Sequence, residues 1–177
     1  MIRFFDFFLS LIGLIILFPL LILLWIIGFI DNGSPLFMQK RVGLNLKLFV
    51  LIKFRTMPNN TKSRGTHLIK NIKLTSFGYF LRAKKLDEIP QLLNVLLGDM
   101  SLVGPRPCLA NQRKLISERK KRGVYKSKPG LTGLAQLSGI NMETPILLSK
   151  TDLKMIKKMN LFYYFYYIFR TILQIIK

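Results

Sequence analysis

Two acids stand side by side at Asp87 and Glu88, inside the stretch "RAKKLDEIPQ" that runs from Arg82 to Gln91. The chain is poor in acids, with 8 Asp and Glu against 28 Lys and Arg, so a pair placed just after Arg82, Lys84 and Lys85 asks for a reason. One reason is chemical. Adjacent carboxylates can hold Mg2+, which binds one or two carboxylates and completes its shell with water and substrate phosphate. A carboxylate beside phosphate and positive charge can also attack phosphorus and form an acyl phosphate. The cations upstream, and a helix N-terminus, would favour the same anionic ligand. The other reason is local. Asp87 fits a helix N-cap, with Glu88 in the first turn and Pro90 tolerated there, each acid contributing about 0.3–1 kcal/mol through the helix dipole. The residues alone leave both open.

The elements that would position this pair can be read from the pattern. Ser34 to Met57, "SPLFMQKRVGLNLKLFVLIKFRTM", nearly alternates apolar and polar around Gly43-Leu44-Asn45 and predicts a β-hairpin. Pro58 to Asn71 is polar and predicts a loop. A helix is expected near Ser76–Lys84, and a second from Asp87 to a C-terminal stop at Gly98. "GDMSLVGPRP" reads as a tight, rigid loop in which Asp99 organises the backbone. Pro107 is placed to open a helix over "CLANQRKLISERKKR", which Gly123 would close and whose basic run from Arg113 to Arg122 would face solvent or headgroups. "KPGLTGLAQLSGIN", Lys128 to Asn141, carries turns around one short apolar run. The C-terminal "LFYYFYYIFRTILQIIK" is too short for a membrane span and fits an interfacial helix.

The N-terminal segment sets the setting. From Phe7 to Ile30 no charge interrupts the apolar run between Asp6 and Asp31, which exceeds the ~20 residues that cross a bilayer. The run is long and no small-residue cleavage site follows it, so it reads as a retained anchor. Pro19 in its middle frees the Ile15 carbonyl. The residues admit either a kinked span or a helix–break–helix that returns to the face it left, with the span slightly favoured.

Composition narrows the class. At 177 residues the chain has room for one core, and its formal net charge of +20 points to polyanionic partners. With 50% hydrophobic residues it is unlike an ordinary nucleic-acid binder and like a membrane-surface protein. The single cysteine, Cys108, excludes an intramolecular disulfide. The single histidine, His67, excludes His-rich metal sites and makes a Ser-His dyad a poor fit.

The run "LDEIPQLLNVLLGDMSLVGPRP", Leu86 to Pro107, resembles the bacterial sugar transferases, small monotopic phosphoglycosyl transferases. "KFRTM" at Lys53–Met57, "KPGLTGLAQ" at Lys128–Gln136 and the proline-bearing N-terminal segment match the family's other blocks in order. The resemblance implies a helix-rich α+β monotopic membrane protein with a small β-hairpin and interfacial amphipathic helices. Residues 1–31 would form a re-entrant membrane helix broken at Pro19, 32–150 a catalytic region on the cytosolic face of the bacterial inner membrane, and 151–177 an interfacial helix. It implies transfer of a phospho-sugar from a UDP-sugar to polyprenyl phosphate, usually undecaprenyl phosphate, with release of UMP, as an opening step of glycan assembly that feeds downstream glycosyltransferases.

By the same resemblance Asp87 would be the nucleophile and Glu88 its assistant, the two sharing Mg2+. Arg82 would bind the diphosphate or the lipid phosphate, with Lys53 and Arg55 close by. Pro105, Arg106 and Pro107 would shape the nucleotide pocket. The chain departs from the family pattern at Phe18, at Lys84-Lys85 and at Ile140, where Ser, Thr-Ser and Arg are expected. The rivals are a membrane-tethered basic module for nucleic acid or anionic lipid, and a phosphatase that passes the phosphorus to water. The transferase reading expects no nucleic-acid partner.

Overall fold

The computed structural model describes residues 1–59, 61 and 74–176. His67 and most of the expected Pro58–Asn71 loop lie outside them. The first element is α1 (Ile2–Asn32), which stays helical through Pro19 in place of the helix–break–helix expected there. At 1.5 Å per residue its 31 residues measure ~46 Å, long and apolar enough to cross a bilayer.

The body is clasped along one stripe of α1. Arg3 donates to the Val95 and Leu96 carbonyls, and Asp6 accepts from Ser101 and Leu102. Gly13 abuts Leu92, Leu24 packs with Phe54 and Leu81, Gly28 meets Pro35 and Phe77, and Asn32 donates to the Met57 carbonyl. The separations of three, four, seven and eleven between these positions keep them on one face of a helix. The opposite face, including Phe4, Phe8, Ile15, Phe18, Trp25 and Ile30, is exposed.

The expected hairpin forms from β1 (Leu36–Val42) and β2 (Leu48–Phe54), antiparallel from Leu36 opposite Phe54 to Val42 opposite Leu48. The outer edge of β2 is closed by a side chain. Asn94, on α3 (Gln91–Leu97), accepts from Ile52 N–H at 3.1 Å and donates to the Val50 carbonyl at 2.7 Å, standing in for a neighbouring strand. Before it, α2 (Ser76–Ala83) is capped by the Thr75 hydroxyl and crosses the end of β2 at Gly78. A Cβ there would sit 2.2 Å from the Thr56 carbonyl oxygen, so only glycine allows the approach.

The segment expected as an irregular loop contains β3 (Ser101–Val103), paired in parallel with β4 (Gly130–Thr132). Gly104 and Gly130 touch backbone to backbone, since a Cβ on Gly130 would lie 1.9 Å from the Gly104 nitrogen. Pro107 does not open a helix. The chain there runs extended, with Val42 N–H bonded to the Cys108 carbonyl at 2.9 Å, and α4 starts later, at Arg113–Lys121. Within α4, Arg119 leaves the expected solvated face: it is buried and paired at 2.8 Å with Asp152 on α6. The last elements are α5 (Leu134–Leu137), α6 (Pro145–Lys158) and α7 (Leu161–Ile176). α6 crosses residue 150 and buries Leu148, Asp152 and Met155. The main core joins Leu51, Val95, Met100, Val103, Met155, Tyr164 and Tyr167.

Replacing Asn94 with leucine keeps the volume and leaves Ile52 N–H and Val50 C=O, whose bonds to Asn94 are part-buried, without those partners. Each orphan costs about 1–3 kcal/mol, so thermal unfolding in detergent should drop by several degrees. An unchanged transition would show that water reaches the β2 edge.

Candidate active site

Asp87 and Glu88 fall in a 3-10 turn, Leu86–Glu88, ahead of α3, not at its N-cap. The N-cap position belongs to Pro90 and α3 begins at Gln91, so the capping role open to Asp87 is absent. The turn is entered through Lys85, whose φ of 53° is left-handed and costs a non-glycine residue roughly 1–2 kcal/mol. That bend turns the Asp87 carboxylate inward. The residue is 7% exposed, and no hydrogen bond or ion pair engages its carboxylate among the described residues.

The cations gather from distant segments. Lys53 comes from the end of β2. Arg82 comes from the last turn of α2, its Nε donating to the Thr56 hydroxyl at 2.9 Å, an alignment that the Gly78 crossing permits. Arg106 lies in the turn after β3, tied down by Gly104 N–H to the Thr132 carbonyl and Gly130 N–H to the Pro105 carbonyl. From behind, the buried Arg119 donates to the Arg106 carbonyl at 2.8 Å. The Arg106 guanidinium then meets Glu88 at 2.5 Å.

Lys53, Arg82, Asp87, Glu88 and Arg106 thus line one cleft of about 510 Å3. It is also lined by Ile89, Leu92, Leu131 and Leu137 and by Thr171, Gln174 and Ile175 of α7. A second cleft of about 420 Å3 shares Lys53, Lys85 and Arg106 and runs toward Arg41, Gly139 and Asn141.

Electrostatics separates the two acids. Burial raises the Asp87 carboxyl above the usual carboxylate range, and Glu88 pushes the same way, against Lys53, Arg82 and Arg106. Burial works to raise Glu88 as well, but the charge and hydrogen bond of Arg106 outweigh it and hold Glu88 low. Glu88 is the committed partner and Asp87 the free, more basic one. Burial brings Lys53 down to about 8 and Arg41 to about 10, while Arg106 is raised by Glu88.

Not every residue singled out in the sequence arrives here. Arg55 turns away to the Ser34 and Leu36 carbonyls and the Phe37 ring. Pro105 faces a separate cavity that also holds Arg3 and Asp6, and Pro107 lines a small recess beside Glu88 and Arg106. Asp99 takes its bond from Asn94, as a loop organiser does. Nothing in the sequence sets Arg41 apart, since it is one cation among several on the hairpin. Asp6 was detectable, since an acid beside an apolar run requires a partner when buried.

The donor set can be tested against Mg2+. No group of three or more His, Cys, Asp or Glu side chains forms among the described residues, so an all-protein cage does not fit. A free Asp87 carboxylate beside Glu88, both opening on a cationic cleft, fits an ion that draws its other oxygens from water and phosphate.

The model of the family described as "Bacterial sugar transferase" matches residues 1–177. The chain is 49% identical over 110 residues to the "Uncharacterized sugar transferase EpsL" of Bacillus subtilis, covering 62% of this chain and 54% of that protein. It is 38% identical over 156 residues to the "Undecaprenyl-phosphate galactose phosphotransferase" of Salmonella typhimurium, covering 78% and 33%. It is 40% identical over 151 residues to the "UDP-glucose:undecaprenyl-phosphate glucose-1-phosphate transferase" of Xanthomonas campestris pv. campestris, covering 80% and 31%. The chain therefore spans about half of the first relative's length and a third of the other two.

Lys53 should lose its charge near pH 8 rather than at the 10.5 of a free lysine, because its pKa is lowered by burial. Reductive methylation across a pH series, read by peptide mass spectrometry, should show Lys53 half-reactive close to pH 8. Titration alongside the exposed lysines would contradict the burial.

Proposed function

This chain belongs to the bacterial sugar transferase family, and we propose that it transfers a phospho-sugar from a UDP-sugar to undecaprenyl phosphate and releases UMP. The observation that carries this reading is the partition of the acidic pair. Glu88 is bound to Arg106, whereas Asp87 is buried, raised in basicity and without a hydrogen bond among the described residues, facing a cleft walled by Lys53, Arg82 and Arg106. A free carboxylate in a cationic pocket is suited to attack phosphorus, because phosphoryl transfer depends on in-line positioning and charge neutralisation.

In the first step an Asp87 carboxylate oxygen bonds to the sugar-bearing phosphorus, the bridging P–O bond breaks, and UMP leaves with the electron pair. In the second a phosphate oxygen of the lipid attacks the same phosphorus, and the bond to Asp87 breaks, restoring the carboxylate. Arg82, Lys53 and Arg106 neutralise the phosphates, and Arg106 keeps Glu88 ionised. Asp87 and the Glu88 oxygen that Arg106 does not bond, Oε2, would hold Mg2+, which when bound adds positive charge at the phosphates.

The lipid acceptor calls for a membrane setting. Both ends of α1 pack on the same catalytic body while its outer face stays apolar and exposed, which supports a protein seated on one leaflet. The Lys40, Arg41 and Lys47 charges that follow α1 closely favour the cytosolic leaflet.

The test is UMP release in nanodiscs with undecaprenyl phosphate, Mg2+ and a panel of UDP-sugars. One donor should give lipid-dependent UMP, and Asp87→Asn should lower the rate by at least about a thousandfold. Because Asp87 acts ionised and its carboxyl is raised by burial, activity should fall on acidification at a pH above the ordinary carboxylate range. Normal turnover by Asp87→Asn, or sugar phosphate delivered to water, would overturn the assignment.

A further inference from the structure

The two clefts share a charged wall and lead away from it into different surroundings. One arm passes Arg41 and Asn141, beside the hairpin. The other runs between α3 and α7 and is bounded by Ile89, Leu92, Leu131, Leu137 and Ile175. Resting on the transfer reaction above, we propose that the α3–α7 arm receives the isoprenoid tail of the acceptor, and that the Arg41 arm is left to the water-soluble donor.

Three observations carry this. A lipid phosphate needs cations beside hydrocarbon, and this arm offers Lys53, Arg82 and Arg106 together with five aliphatic side chains. The polar side chains of α7 on its wall are already engaged: Thr171 shares a hydrogen bond of 2.5 Å with Thr132, and Gln174 donates to the Leu137 carbonyl at 3.3 Å. They hold α7 against the cleft and leave its aliphatic groups to the ligand.

The arm is also continuous with the apolar exterior. Leu92 abuts Gly13 of α1, and Ile175, 39% exposed, adjoins the outward face of α7 with Phe165, Phe169 and Ile172. A tail leaving this way stays among hydrocarbon, whereas the other route, although Ile140, Met142 and Leu148 also line it, takes the tail past the charge of Arg41 and the amide of Asn141. The C-terminal helix is thus part of the acceptor site, through residues for which the family motifs give no signal.

The experiment compares undecaprenyl phosphate with geranyl phosphate as acceptors in detergent micelles, where membrane docking does not enter. A carboxylate on the arm should penalise the long tail more than the short one. Ile175→Asp should therefore raise the undecaprenyl KM by at least about tenfold more than the geranyl KM, an effect of a few buried methylenes. Met38→Asp, the same charge on an exposed hairpin residue outside both clefts, should move both acceptors alike. An undecaprenyl-to-geranyl KM ratio in Ile175→Asp equal to that of the wild type overturns the proposal. An acceptor analogue with a photoreactive diazirine in its tail gives a second measure on wild-type protein. Adducts in Gln91–Leu97 or Leu161–Ile176 support the arm, and adducts confined to the hairpin or residues 139–142 overturn it. If no UDP-sugar is turned over with either lipid, the transfer reaction itself is wrong, and the photolabel still decides where the tail lies.

Discussion

The ion pair between Arg106 and Glu88 joins two turns that lie 18 positions apart, and the rest of the site is arranged around it. Two adjacent carboxylates in a half-enclosed cleft repel each other and both lose hydration, so one must be neutralised if the other is to remain free. Arg106 neutralises Glu88, and the cost of burial then falls on Asp87, whose carboxyl rises. The same division leaves Asp87 uncommitted. With both acids paired neither would stay uncommitted, and with neither paired the two would tend to share a proton.

Holding Arg106 in position takes more structure than its short turn contains. The strands on either side of it, Ser101–Val103 and Gly130–Thr132, are three residues each and carry few ladder bonds. Buried polar side chains supply what the sheet lacks. Asp6 takes bonds from Ser101, Leu102 and Tyr164, Asn94 closes β2, and Arg119 with Asp152 braces the Arg106 carbonyl from behind. Each satisfies a backbone group that would otherwise be buried unpaired, and each links segments far apart in sequence. The glycines at 78, 104 and 130 let the backbones meet closely enough for these bonds to form.

The long apolar helix follows a different logic. A single span carrying a body at one end would use only its terminal turns for contact. α1 meets the body near both of its ends, through Arg3 and Asp6 at one and Leu24, Gly28 and Asn32 at the other, and turns bulky apolar side chains outward. The exposed aromatic and aliphatic face of α7 adds to that outer surface. Hydrocarbon is the medium in which such a surface is stable, and the cleft with its cationic wall borders it.

Much of the plan was legible in the amino-acid order. The uninterrupted apolar run, the hairpin with its alternation, the helix stops at Gly98 and Gly123, and the acidic pair behind Arg82 are signals carried by neighbours a few residues apart. Neighbour rules misjudge what depends on packing. Asp87 looks like a helix cap until Lys85 bends the turn inward and the helix begins at Gln91. Arg55, two positions from Lys53, is drawn off by the Ser34 and Leu36 carbonyls, while Arg41 from the facing strand reaches the second cleft. Pro107 looks like a helix start until Val42 pairs with Cys108. The sequence determined which groups were available to the site. The fold chose among them, because a cation's partner is whichever acceptor or anion lies within a few ångströms, and that distance is set by contacts between segments tens of residues apart.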